Sequence, residues 1–203
     1  MKYISTRDSS IQLSASQAIL QGISPEGGLF VPESFPQVNL DFIRGLEGLS
    51  YWERAERVMA LYLDDFSHED LESCTKGAYL GTFDGDQPAP VRAAGDLRLL
   101  ELWHGPTCAF KDMALQMLPR LVSTARRNLG DDRKAIVLVA TSGDTGKAAL
   151  EGFRDVEGTG ITVFYPVDGV SQIQRLQMAT QQGANVAVQA VEGNFDDCQT
   201  GVK

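Results

Sequence analysis

Between residues 135 and 199, apolar runs and amphipathic stretches take turns at a steady spacing. Residues 135–140, Ala-Ile-Val-Leu-Val-Ala, form a near-continuous apolar run, the pattern of a strand buried on both faces. A glycine-bearing turn at 141–146 leads into a helix over 147–156. A second strand covers 161–165 and stops at Pro166. Ser171 and Gln174 have capping-box spacing, which opens a helix running to Gly183. A third strand covers 185–191, and another helix begins in 194–199. This βαβαβ order predicts a parallel sheet with right-handed crossovers.

The first part of the chain reads differently. A short helix over 14–22 ends at Gly22, a usual left-handed cap. Gly27 and Gly28 permit a sharp reversal before a brief strand at 29–31, stopped by Pro32. Residues 40–49 and 51–66 carry helical periodicity, with Trp52, Ala55, Val58, Met59, Tyr62, Leu63 and Phe66 on one face. Glu53, Arg54, Glu56 and Arg57 fill the opposite face, and Asp64 and Asp65 read as solvated surface. His68 lies in a capped helix start at 67–71 and reads as structural. The turn formers at 84–90 mark a boundary between a mainly helical subdomain, 1–88, and an α/β part, 89–203. Beyond it comes a strand over 98–102. A helical stripe follows on Ala114, Met117, Leu118, Leu121 and Ala125, where Pro119 forces a kink or a restart. The chain stops inside a helical pattern with no closing element, so the sheet is expected to be incomplete, with an open edge and uncovered apolar faces.

Composition narrows the function classes. The apolar fraction of 43% and charged fraction of 22% are those of a globular protein. No apolar run approaches the ~20 residues of a membrane span, and residues 1–8 lack a signal-peptide core, so a cytoplasmic protein is expected. Eighteen basic against 27 acidic residues give a charge of −9, which argues against nucleic-acid or anionic-membrane partners. Three scattered cysteines, Cys74, Cys108 and Cys198, show no metal or disulfide spacing. With only two histidines, no metal site is expected.

Two segments carry candidate chemistry. In His104-Gly105-Pro106-Thr107-Cys108-Ala109-Phe110-Lys111-Asp112, Lys111 sits where a loop becomes a helix, beside Phe110 as an expected buried anchor. A lysine held there and partly desolvated is a usable amine for Schiff-base chemistry. The second segment is Thr141-Ser142-Gly143-Asp144-Thr145-Gly146, between strand and helix. Its glycines allow close backbone approach, its hydroxyls add donors, and a helix N-terminus favours an anion. It is not a P-loop, since two residues separate Gly143 from Gly146 and Lys147 is followed by Ala148. The dinucleotide fingerprint also fails, for want of its first glycine. A plain reading leaves a tight turn with Asp144 or Ser142 as N-cap.

Together, H-G-P-T-x-A-F-K-D and, about thirty residues later, A-T-S-G-D-T-G resemble the threonine synthases, pyridoxal-phosphate enzymes of the tryptophan synthase β-like fold (fold type II). Gly27 to Pro32, Tyr165-Pro166, Ser171 to Leu176, and Gly193 to Cys198 also fall in family order. The resemblance implies a lyase of threonine biosynthesis that converts O-phospho-L-homoserine and water to L-threonine and phosphate. It makes Lys111 the catalytic Schiff-base lysine, with Phe110 and Asp144 at the cofactor. It makes Thr141, Ser142, Gly143, Asp144, Thr145 and Gly146, with His104, the substrate contacts. Asp144 stands where many relatives outside the threonine synthases carry Asn, close to the cofactor's ring oxygen. The residues for the cofactor phosphate and pyridine nitrogen lie further along in the family, so this chain reads as its N-terminal portion, inactive alone and lacking a C-terminal half.

Three other readings stay open on the residues. A phospho-lyase giving 2-oxobutyrate would share both motifs, and a folding module without catalysis would explain the missing half. A Cys108–His104 hydrolase lacks an assignable acidic partner. The uncovered apolar faces predict that the purified chain binds a hydrophobic dye and self-associates. A monodisperse monomer in light scattering that leaves the dye dark would contradict this.

Overall fold

The computed structural model describes all 203 residues, Met1–Lys203. In chain order the elements are β1 (Tyr3–Ser5), β2 (Gln12–Leu13), α1 (Ala15–Gln21), β3 (Phe30–Pro32), α2 (Leu40–Arg44), α3 (Tyr51–Met59), α4 (His68–Tyr79), β4 (Val91–Ala94) and β5 (Leu97–Leu100). They continue with α5 (Asp112–Leu115), α6 (Leu118–Asn128), β6 (Ala135–Ala140), α7 (Asp144–Phe153), β7 (Thr159–Pro166), α8 (Gln172–Ala179), β8 (Val186–Val191) and α9 (Phe195–Val202). Two compact units form, Met1–Leu80 with Arg120–Asp132, and Gly81–Pro119 with Arg133–Lys203. No helix is long and apolar enough to cross a membrane.

The first unit pairs β1 with β2 and with β3, both antiparallel. Its core gathers Ala15, Leu63, Phe66, Leu71 and Ala125. Gly22 caps α1 at φ 71°, as its sequence position predicts. Helices α2 and α3 are shorter than the periodicity suggests, ending at Arg44 and Met59. Asp64 and Asp65 are exposed, as expected, and each also has a partner: Asp65 accepts from the Ser16 backbone N–H (2.9 Å), and Asp64 pairs with the Met1 ammonium. One polar assignment changes. Glu56 is buried rather than outward, with its Oε1 3.0 Å from His68 Nδ1. A carboxylate taken from water needs such a partner, and His68 supplies it.

In the second unit β4 and β5 form an antiparallel hairpin turned at Gly95 (φ 60°). Its first strand was not legible in the sequence, and all eight strand residues are exposed. The parallel sheet has the order β6-β7-β8, with Val163 opposite Val139 on one side and Val188 on the other. The central strand β7 is the buried one, and Ile161 and Val163 pack with Ala149, Leu150, Phe153, Tyr165 and Met178. Each such side chain contributes about 1.5–3 kcal/mol by leaving water. The expectation of two buried faces fails for β6. Val137 and Val139 pack inward, but Ile136 and Leu138 are 58% and 48% exposed. An edge strand with one covered face alternates in burial even when its sequence does not. Together with Val91, Leu97, Leu99, Leu100 and Trp103, these residues are the expected uncovered apolar side chains.

The kink or restart expected at Pro119 is a restart: the helical stretch after Lys111 divides into α5 and α6, and α6 begins one residue before Pro119. Helix α5 packs on α7, where the Leu115 carbonyl crosses so close to Gly152 that a Cβ there would lie 1.9 Å from its oxygen. Asn185 locks the far end of α7, donating from Nδ2 to the Phe153 and Thr159 carbonyls (2.8 and 3.2 Å) and accepting from Asp155 N–H (2.7 Å).

Gly152→Ala should therefore lower the unfolding free energy by about 1–3 kcal/mol in urea melts, because backbone must move. Gly201→Ala in α9, where a Cβ meets open space, should be neutral or stabilising by up to about 1 kcal/mol.

Candidate functional site

Lys111 stands at the N-cap position of α5, half-buried, at the predicted loop-to-helix junction. What fixes it is the next residue. Asp112 has no exposed surface, and its carboxylate accepts from Thr107 N–H (2.9 Å), Thr107 Oγ1 (2.6 Å) and Ala109 N–H (3.4 Å). The loop wraps so tightly that a Cβ on Gly105 would fall 2.5 Å from that carboxylate. Cys108 is thereby held in the left-handed region (φ 56°), a conformation that costs a non-glycine residue about 1–2 kcal/mol. Sequence reading missed Asp112. The only signal was an acid directly after the lysine, four residues beyond a hydroxyl side chain's neighbour.

Phe110 is not a buried anchor. It is 57% exposed, with its ring centroid 4.9 Å from Lys111 Nζ, and Ala109 and Met117 are the buried apolar side chains of this segment. His104 does have an acidic partner, contrary to the sequence reading: its Nε2 lies 2.7 Å from Glu101 Oε2, with both side chains mostly buried. The His104 carbonyl accepts from Asp84 N–H (2.9 Å), so this histidine also holds the chain against the 81–84 turn. Cys108 is exposed.

The second segment follows β6. Thr141 is 1% exposed, and its Oγ1 accepts from Gly143 N–H (3.0 Å) and Gly146 N–H (2.9 Å). It thus caps the start of α7 from inside. Neither Asp144 nor Ser142 is the N-cap; Gly143 occupies that position at φ 145° without a side-chain bond. Asp144 begins the helix, and its Oδ1 accepts from Gln174 Nε2 (2.9 Å) with Lys147 Nζ 3.2 Å away. The Gln174 amide first, and Lys147 after it, outweigh partial burial and hold the Asp144 carboxyl below its ordinary range. Ser142 is exposed and Thr145 half-buried. Gly146 admits no side chain, since a Cβ would lie 2.4 Å from Thr141 Cγ2.

The parallel sheet brings these parts to one edge. Helices α7, α8 and α9 each begin just past the C-terminal end of β6, β7 and β8. Three helix N-termini therefore offer backbone N–H groups and positive dipole ends on the same side. The packing of α5 on α7 links the helix that carries Lys111 to the helix that carries Asp144.

Residues 2–79 match the family model for the threonine synthase N terminus. The chain is 42% identical to the threonine synthase of Pseudomonas aeruginosa over 205 residues, covering all of this chain and 43% of that protein. A crystal structure of PLP-bound threonine synthase from Brucella melitensis superposes with a TM-score of 0.90 and 40% identity, over 98% of this chain and 43% of that one. Along its whole length the chain is similar to the N-terminal portion of these threonine synthases. The yeast threonine synthase structure agrees, with a TM-score of 0.88 and 37% identity over 98% of this chain and 42% of that one. The α/β architecture with its parallel sheet is the one these threonine synthases share, and the chain spans somewhat under half their length.

Thr141→Val should leave the Gly143 and Gly146 N–H groups unpaired, costing about 2–3 kcal/mol in chemical denaturation. Faster amide hydrogen exchange at those two glycines, with β7 still protected, is the expected signature. Unchanged exchange would show that Thr141 is not the internal cap.

Proposed function

We propose that this chain contributes the lysine half of a threonine synthase active site, converting O-phospho-L-homoserine and water to L-threonine and phosphate. The observation that carries the reading is Lys111 at the start of α5, on a loop pinned by the buried Asp112, in a chain so similar to a PLP-bound threonine synthase. Pyridoxal phosphate fits the residues present. Lys111 offers an amine, the exposed Phe110 ring beside it offers a flat apolar face, and Asp144 offers a carboxylate oxygen.

When bound, the cofactor supplies the electron sink for carbanion chemistry. Lys111 Nζ takes the proton from the substrate's α carbon and moves the later proton at the β carbon, a role suited to a positioned amine. Phosphate leaves from the γ carbon, which takes up a proton in its place; water then adds its hydroxyl at the β carbon and the α carbon regains a proton, so the two protons removed are returned and water's remaining proton leaves with the phosphate. Ser142, Gly143, Thr145 and Gly146 hold the substrate's anionic groups at the start of α7, with Thr141 shaping that loop from beneath. Asp144 would offer its carboxylate to the cofactor beside Lys111. His104, oriented by Glu101, lies on the Lys111 segment as a further substrate contact. The contribution of the 141–146 loop is positioning, because the charge it holds persists through the reaction.

In this reading residues 1–88 form the family's N-terminal subdomain and residues 89–203 begin its catalytic domain. The remaining groups around the cofactor belong to the rest of the enzyme. Three unpaired cysteines support a reducing, cytoplasmic setting.

The test is to incubate the 203-residue chain with pyridoxal phosphate, reduce with borohydride, and map the labelled peptide. Label concentrated on Lys111, with a visible absorption band that Lys111→Ala abolishes, is the expected result. Even labelling of surface lysines, unchanged by Lys111→Ala, would overturn the assignment.

A further inference from the structure

Gln174 makes a contact that helix capping does not explain. Its Oε1 accepts from Ser171 N–H (3.1 Å) and its own N–H is 3.3 Å from Ser171 Oγ, which closes the capping box of α8. The same amide then donates from Nε2 to Asp144 Oδ1 (2.9 Å), thirty positions away in the chain. The two bonds are coupled. With Oε1 committed to a backbone donor, the amide has one orientation, and its NH2 group points at the loop. The backbone is built to admit it: a Cβ on Gly143 would lie 2.4–2.5 Å from the Gln174 side-chain amide.

Asp144 is thus held from two sides. Lys147, from its own helix, is the charged group that faces it, and from α8 the facing group is the neutral Gln174 amide. Both engage Oδ1, while the side chain stays about half exposed (49%).

We propose that Gln174 is a positioning residue for the 141–146 loop, turning the Asp144 carboxylate so that Oδ2 faces outward as a hydrogen-bond acceptor. An ionised carboxylate only accepts, so the ligand group it meets must be a donor, a hydroxyl or a protonated nitrogen. An amide at position 144 could meet either kind. The assignment of a ligand partner rests on the proposed function, but the tether between Gln174 and Asp144 does not.

Gln174→Glu separates capping from positioning. Glutamate is equally at home as the third residue of a capping box, so the Ser171 N–H keeps its acceptor. The donor to Asp144 is lost, however, and a second carboxylate faces it. The measurement is the pH titration of the Asp144 side-chain carbonyl by 13C NMR in the 203-residue chain. In Gln174→Glu the Asp144 midpoint should move upward, with far-ultraviolet circular dichroism unchanged. In Ser171→Ala, which breaks the box but leaves the tether, the midpoint should hold. An unmoved midpoint in Gln174→Glu would overturn the proposal, as would an equal shift in Ser171→Ala.

Should Gln174→Glu fail to fold, the parent chain still decides. The Gln174 side-chain NH2 resonances should follow the Asp144 titration and lose that dependence in Asp144→Asn; resonances indifferent to it would refute the tether. The ligand reading fails separately: if Asp144→Asn leaves borohydride-fixed labelling of Lys111 by pyridoxal phosphate unchanged, Asp144 does not serve the cofactor, whatever the titration shows.

Discussion

The burial of β7 on both sides governs the part of this chain that carries the candidate site. A strand paired in parallel with neighbours on each flank requires a crossover on either side of it, and here both crossovers are helices, α7 and α8. Parallel strands all end at the same edge, so every helix that follows a strand must start there. Three helix starts, with their positive dipole ends, are brought together by that one constraint. The apolar sequence of β7 and the residues packed on it, Leu150, Phe153 and Met178, are therefore as important to the site as the loop residues themselves.

Both candidate segments are held from beneath. Asp112 gathers the turn before Lys111, and Thr141 gathers the turn before Asp144, each using a buried side-chain oxygen to satisfy backbone N–H groups. Burying a carboxylate is costly unless it is fully hydrogen-bonded, and Asp112 meets that requirement with backbone and hydroxyl donors rather than with a cation. This leaves Lys111 unpaired with its neighbouring acid. The amine is free to serve another partner, while the acid fixes where it stands.

Much of this was legible in the sequence where the cause is local. The Ser171–Gln174 box, the Gly22 cap, the break before Pro119 and the loop-to-helix position of Lys111 all follow from a few adjacent residues. The order of strands and helices after residue 135 follows from periodicity. What stayed hidden depends on contacts distant in sequence or on the path of an irregular loop. Apolar periodicity does not say which strand lies at an edge, so the exposure of Ile136 and Leu138 was out of reach. The role of Gln174 arises only when α8 folds back against the 141–146 loop, thirty positions away. Asp112 and Glu101 act within five residues of themselves, but through a loop conformation that periodicity does not encode. Phe110 misled for a related reason: aromatic character suggests burial, but a ring beside a lysine in a surface loop has no core to enter.

The reach from Asp144 to Gln174 also sets an order of events. The loop at 141–146 borrows a backbone carbonyl on β7 for Thr141 N–H and a side chain on α8 for its carboxylate. Neither exists until the chain has been made and folded some thirty residues further. During synthesis from the N-terminus, β6 and α7 emerge first, with the loop between them lacking two of its restraints. Only when β7 has paired and α8 has turned its first cap inward does the loop take its final form. That loop is thus finished only after the strand and helix that follow it.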